Sequence, residues 1–205
     1  QGDLLGEVIV VDDQSTDNSF EIASRLARQY QDLVFAVRND TKGANNARNL
    51  GFSLSRCNFV QWLDADDAIL AGKFEHQVHA LLQNSEADIA YSDWSKVTFD
   101  DSGNEISSQL IKKRPADDFL GELLDDNWSV PCNYLIRRRL AMRLDEIGAW
   151  WNNRPVAQDR EYFTLAAMLA TGVIYVSGTY SKYTTSNENT VSRINYNIRL
   201  EHQIE

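Results

Sequence analysis

Residues 7–30 read EVIVVDDQSTDNSFEIASRLARQY. The run Val8, Ile9, Val10, Val11 is short, apolar and β-branched, the pattern of a strand buried on both faces of a parallel sheet. Asp12 and Asp13 end it. Ser15 or Thr16 can then cap a helix whose apolar positions, Phe20, Ile22, Ala23, Leu26 and Tyr30, recur at helical spacing. The same alternation continues along the chain. Residues 33–37 predict a second strand, 43–56 a helix that starts at Gly43, and 59–63 a third strand. A helix over 72–83 and a strand over 88–94 follow. Strand, helix, strand, helix, strand is the signature of right-handed βαβ units, so an α/β fold is expected, with strands 8–11, 33–37 and 59–63 in one parallel sheet.

After Trp94 the pattern changes. Residues 96–111 predict a β-hairpin that turns at 101–104, and 115–126 a helix with Pro115 near its start. Residues 132–138 predict a short strand, and 159–172 an apolar helix stopped by Gly172. Residues 173–183 give two strands or one bent strand. The second half is an elaboration packed against the edge of a doubly wound sheet.

The chain has 205 residues and a hydrophobic fraction of 43%, enough for one sizeable core. No apolar run is long enough to span a bilayer, and no signal-peptide pattern opens the chain. A formal net charge of -10 argues against a nucleic-acid partner, since phosphate binding needs a cationic face. It is compatible with a cation that bridges protein carboxylates to an anionic substrate. Cys57 and Cys132 have no metal-ligand spacing and read as reduced thiols in a cytoplasmic setting.

Residues 59–70, FVQWLDADDAIL, put Asp64, Asp66 and Asp67 at the end of the third strand. Like charges so crowded raise one another's pKa unless something positive sits among them. Two readings stand: a solvated turn that caps the next helix, and a divalent-cation site. Ligands on α/β sheets sit at the carboxyl ends of the strands, and both acidic clusters fall there.

VIVVDDQSTDNS, GANNARNLG, WLDADD and QDREY, in that order, resemble the family-2 glycosyltransferases of the GT-A fold, and the likeness runs over residues 7–192. The resemblance implies a single GT-A-like domain over 1–205, with a nucleotide-binding half (1–94) and an irregular acceptor-side half (95–205). Its sheet is doubly wound and mainly parallel. It implies inverting, hexosyltransferase-like transfer from a nucleotide-diphosphate sugar to a carbohydrate or lipid-linked acceptor, with Mn²⁺ or Mg²⁺ as cofactor. By the same likeness Asp66 is the metal ligand and Asp64 the ribose-side contact. Asp13 meets the nucleotide base, and Lys42 faces the diphosphate beside the start of the second helix. Asp159 is the base that takes the acceptor's proton. Plain alternatives remain beside each role: helix capping for Asp13, Asp66 and Asp159, and a salt-bridge anchor for Arg48. Trp150 and Trp151 read either as an acceptor-stacking wall or as core tryptophans.

The sequence also departs from the family pattern. The family's usual first strand and helix are not found before residue 7, Gln158 replaces an acidic residue, and Asn187 stands where many members carry a metal-binding His. His76, His79 and His202 read as surface or packing residues. The absence of a Q-x-x-R-W segment argues against a processive polysaccharide synthase. A phosphatase of the haloacid-dehalogenase type, which also carries D-x-D after a strand, lacks its downstream lysine here. A protein that binds a sugar nucleotide without turning it over is the remaining alternative.

Overall fold

The computed structural model describes residues 4–100, 102–115, 117–124, 129–149, 151 and 158–185. In chain order the elements are β1 (Val8–Asp12), α1 (Ser19–Gln29), β2 (Val34–Arg38), α2 (Ala44–Leu54), β3 (Phe59–Gln61), β4 (Ala68–Ile69), α3 (Lys73–Gln83), β5 (Ile89–Phe99), β6 (Glu105–Ile111), α4 (Phe119–Leu124), a 3₁₀ turn (Pro131–Asn133), β7 (Leu135–Arg137), α5 (Arg138–Glu146), α6 (Gln158–Leu169) and β8 (Val173–Thr185).

The α/β alternation expected of the first half is present, but the three leading strands do not share one sheet. β1 pairs with β2 in parallel, Val8 opposite Val34 through Asp12 opposite Arg38, and these two strands form a sheet of their own. β3 instead ends a six-stranded sheet of order β3-β7-β5-β8-β4, with β6 also on β5. That sheet is mixed rather than mainly parallel: β5 and β8 run parallel, while β3–β7, β5–β7, β4–β8 and β5–β6 are antiparallel. The reason lies between β1 and β3. Among the described residues neither has a hydrogen-bonded neighbour on the side facing the other, and both border a cavity of about 720 Å³. Its apolar walls include Ile9, Val11, Ala47, Phe59, Phe74 and Val78. For the same reason Val8, Ile9, Val10 and Val11 are only half-buried, although their sequence suits a strand covered on both faces.

α1 departs from expectation in a related way. Its amphipathic stripe faces a layer only two strands wide, so Ala23 is buried while Ile22, Leu26 and Tyr30 stay exposed. In the second half β5 is the central element, almost wholly buried along its 11 residues. Its first two residues pair with β7 and its later ones with β6, so one long strand serves two neighbours on the same edge. β8 is one strand with an irregularity. Ser92 faces Val176 and Asp93 faces Thr179, so Ser177 and Gly178 are extra residues on the β8 side, and Gly178 takes the positive φ of 125° there. The fourth helix begins at Phe119 rather than near Pro115. α5 is an addition: its arginines mask a buried stripe of Leu140, Ala141 and Leu144.

The main core lies between the six-stranded sheet and α5 and α6. It holds Trp62, Ile89, Ile136, Leu140, Trp151 and Phe163. Leu140 is fully buried, so Leu140→Ala should destabilise the fold by about 2–5 kcal/mol through lost burial and a residual cavity. Leu82, 62% exposed, should tolerate the same change within about 0.5 kcal/mol. Urea unfolding followed by tryptophan fluorescence measures both.

Candidate active site

Both acidic clusters border the same cavity, whose polar lining includes Asp13, Arg48, Asp64 and Asp67. At the first cluster the two aspartates have different tasks. Asp12 is buried and pairs with Arg38, its opposite residue on β2, at 3.0 Å. A hydrogen bond from Ser15, with help from Arg38, holds its carboxyl below the usual carboxylate range despite burial. Asp13 turns towards the start of α2. Its Oδ1 accepts the Asn39 side-chain N–H at 2.9 Å and the Gly43 N–H at 2.8 Å, and its Oδ2 accepts the same Gly43 N–H at 2.9 Å. Gly43 presents that N–H from a φ of 137°, a conformation that side-chain-bearing residues rarely adopt. Asp13 is therefore the clamp that fixes where α2 begins. Lys42, one residue earlier, keeps an exposed side chain beside this clamp.

α2 carries Arg48 to the second cluster. Its Nη1 donates to Asn45 Oδ1 at 2.6 Å, its Nη2 pairs with Asp64 Oδ1, and its guanidinium lies over the Trp151 ring, 4.6 Å from the centroid. This is the salt-bridge role expected of Arg48. Asn49, the next residue, donates to Trp151 O at 2.9 Å and accepts from Trp151 N at 3.3 Å. No local pattern in the sequence announces these contacts across 102 positions.

The acidic loop itself is tied at one end. Asp67 N donates to Asp64 O at 3.1 Å, and Asp67 Oδ1 accepts the Thr184 N–H from β8 at 3.0 Å. Asp67 Oδ2 is buried without a hydrogen-bond partner. Burial, reinforced by the charges of Asp66 and Asp64, pushes the Asp67 carboxyl up to about 6. Asp66 is exposed, and among the described residues its carboxylate has no hydrogen-bond or ion-pair partner. Asp64, Asp66 and Asp67 thus offer only hard oxygen donors, which suit Mg²⁺ or Mn²⁺. Among the described residues no group of three or more His, Cys, Asp or Glu converges as a ligand set. A cation held here would fill its coordination with substrate or water oxygens.

Asp159 is the second residue of α6 and is half-buried. Burial pushes its carboxyl above the usual carboxylate range; Asp64 adds to this, and Arg48 pulls the other way. The first-turn position and the neighbouring Arg160 N–H, which donates to Asp159 Oδ1 at 2.9 Å, give it an ordinary helix-terminal setting as well.

Trp151 does not form an acceptor-stacking wall. It is 2% exposed, stacked on Tyr162 at 4.4 Å and 12°, with Arg48 over its ring and the edges of Trp62 and Phe163 beside it. No open face remains for a sugar. Trp150, Asn187 and His202 lie outside the described residues. His76 and His79 are exposed on α3: His76 bonds Gly72 O and stacks on Tyr180, and His79 contacts Gln83. The two cysteines are free.

This arrangement of strands and helices is a GT-A-type fold. It is similar to that of Staphylococcus aureus TarS residues 1–349 in complex with UDP-GlcNAc, with a TM-score of 0.68 and 19% identity over 97% of this chain and 56% of that one. The chain matches Glycosyl transferase family 2 over residues 1–143 and belongs to that family. It is 27% identical over 89 residues to the UDP-Glc:alpha-D-GlcNAc-diphosphoundecaprenol beta-1,3-glucosyltransferase WfaP of Escherichia coli, covering 43% of this chain and 34% of that protein. Glycosyltransferase GlyG of Streptococcus pneumoniae is 28% identical over 127 residues, 55% of this chain and 41% of its own. The chain therefore corresponds to less than half the length of these two curated relatives.

The Asp67 carboxyl binds its proton more tightly in the folded chain, near 6, than unfolded, near 3.8. Its contribution to stability is present below about pH 4 and is lost as pH rises through about 6. Asp67→Asn keeps an oxygen for the Thr184 N–H and cannot ionise. Melting temperatures from pH 4 to 8 should show the variant gaining on the wild type as pH rises through 6.

Proposed function

We propose that the chain transfers a hexosyl group, with inversion, from a UDP-sugar to a hydroxyl of a carbohydrate or lipid-linked acceptor, assisted by Mn²⁺ or Mg²⁺. The observation that carries this is the Arg48–Asp64 ion pair on the wall of a cavity that Asp13 and Asp67 also line, with the charges of both members of that pair acting on the Asp159 carboxyl. Family membership supports glycosyl transfer. The UDP and UDP-GlcNAc complexes of TarS support the nucleotide, and the name of WfaP supports a lipid-linked acceptor.

In this reading each carboxylate has one task. Asp13 holds Gly43 and Asn39 so that the loop beside Lys42 frames the nucleotide. Asp64, oriented by Arg48, faces the ribose side of the donor. Asp66, exposed and unpaired among the described residues, is the protein's metal ligand, with Asp67 fixing the loop behind it. A bound Mn²⁺ or Mg²⁺ supplies Lewis-acid neutralisation of the charge that grows on the departing diphosphate. Asp159 takes the proton of the acceptor hydroxyl as that oxygen attacks the sugar carbon and the bond to the diphosphate breaks. Its burial makes it a stronger base than an exposed aspartate.

Asp159→Asn keeps the shape and the acceptor atom for the Arg160 N–H but removes the basic lone pair. Transfer from the UDP-sugar should fall by roughly two to four orders of magnitude, with UDP affinity and melting temperature little changed. A folded variant with turnover within a few-fold of the wild type would remove Asp159 from the mechanism, whereas a wild type that binds UDP-sugar without measurable transfer would favour a binding protein. A second expectation concerns the cation. Because the protein provides few ligands, calorimetric titration with Mn²⁺ should show weak binding alone and at least tenfold tighter binding with UDP present. Equal affinity in the two titrations would mean a site complete without nucleotide.

A further inference from the structure

Beneath the contact of Arg48 with Trp151, three buried polar atoms have no hydrogen-bond partner among the described residues. They are Trp62 Nε1, Trp151 Nε1 and Asp145 Oδ1, and the residues that carry them line one small cavity. This cavity measures about 10 Å³; Tyr162 borders it too, and Phe52 and Leu144 supply apolar wall. Three parts of the fold meet there. Trp62 directly follows β3, Asp145 is on α5, and Trp151 precedes α6. Trp62 is 8% exposed and Trp151 2%, so neither indole N–H can turn to bulk solvent. The rings are closely set: Trp62 stands at 78° to Trp151 with centroids 5.6 Å apart, and at 90° to Tyr162 at 6.0 Å. Burial pushes the Tyr162 phenol above its ordinary pKa. The nearby Trp62 N–H, short of a hydrogen bond, pulls it down, and the Asp145 charge pushes it up again.

We propose that this cavity is a binding site for one internal water, which accepts the indole N–H groups of Trp62 and Trp151 and donates to Asp145 Oδ1. Size and chemistry both select this occupant. A buried water needs about 10–15 Å³ of such space and typically makes about three hydrogen bonds. An ammonium group or a metal ion would meet two N–H donors that it cannot accept. A halide or a phosphate would meet the Asp145 carboxylate. Water accepts from both indoles and donates to the carboxylate at the same time. A direct bond from one indole to Asp145 would leave the other indole buried and unpaired, which native interiors rarely tolerate. The consequence reaches the acidic loop. Trp151 lies under the Arg48 guanidinium, and Arg48 pairs with Asp64. A water that holds the Trp151 indole therefore fastens the floor of this ion pair to α5. The assignment is independent of the nucleotide and of the sugar.

The test is water-selective NOE spectroscopy of the nitrogen-15-labelled chain, read at the assigned indole N–H signals. Trp62 and Trp151 should both show cross-peaks to water, with the sign of a molecule held longer than the protein takes to tumble. Tyr162→Phe removes the one hydroxyl that lines the cavity among the described residues, and the cross-peaks should persist in it. Asp145→Leu removes the acceptor and fills the space, so both cross-peaks should fall at least about fivefold, while Asp145→Asn keeps an acceptor oxygen and both peaks. Absence of a water cross-peak at either indole of the wild type would overturn the site, whatever the variants do. Loss of the peaks in Tyr162→Phe would mean proton relay through the phenol and would also overturn it. Peaks that survive in a folded Asp145→Leu protein would remove Asp145 and with it the three-way bridge.

Discussion

The Arg48 guanidinium joins three distant pieces of the chain: α2 through Asn45, the acidic loop through Asp64, and the segment before α6 through the face of Trp151. Its side chain is only 17% exposed, so the charge is largely withdrawn from water and must be satisfied by these partners. A charge so placed constrains more than it stabilises. Removing either partner would leave the other half-buried and uncompensated, which is why loop and helix keep one geometry. Arg48 is also the cation that offsets, within one cluster, the mutual repulsion of Asp64 and Asp159.

A second polar assembly underlies the site from the sheet side. Lys73, fully buried at the start of α3, donates to Gln77 Oε1 and Asn133 O, both at 2.8 Å, and burial lowers its amine to about 7. Asn133, also fully buried, donates to Ser92 O and Ser129 Oγ at 2.7 Å and accepts from Ser92 Oγ at 2.8 Å. Each bond replaces one that water would have made, so the net gain per bond is about 1 kcal/mol. The assembly's larger effect is geometric. It locks the turn Pro131–Asn133 against α3 and β5, and Cys132 in that turn sits beside Asp67 and beneath Ser181 of β8. The acidic loop is therefore held from α2 on one side and from the buried polar core on the other.

Much of the fold was legible because it rests on local rules. The β-branched run 8–11, the helical spacing of Phe74, Val78 and Leu81, and the apolar stretch of α6 each identify their element without knowledge of neighbours. Others were not. α5 hides its stripe of Leu140, Ala141 and Leu144 among arginines, and β8 carries a bulge at Ser177–Gly178 that reads as a break. The acidic residues could be found from their position after strands, since a charge at a strand end is visible in one dimension. Their partners could not.

What the sequence by itself determined is the set of elements, the α/β class, and the placing of Asp13, Asp64 and Asp66 at strand ends, because hydrophobic period and turn chemistry act over a few residues. Only the tertiary structure decided which strands pair, that Asp13 serves as a clamp on Gly43, that Trp151 is a core residue beneath Arg48, and that β8 is fastened to the acidic loop through Thr184 and Asp67. Pairing of β strands, burial of a ring and the pull on a carboxyl depend on atoms brought together from across the chain. Trp151 meets Asn49 over 102 positions and Thr184 meets Asp67 over 117. No local pattern encodes those distances; the packing of the sheet and helices sets them.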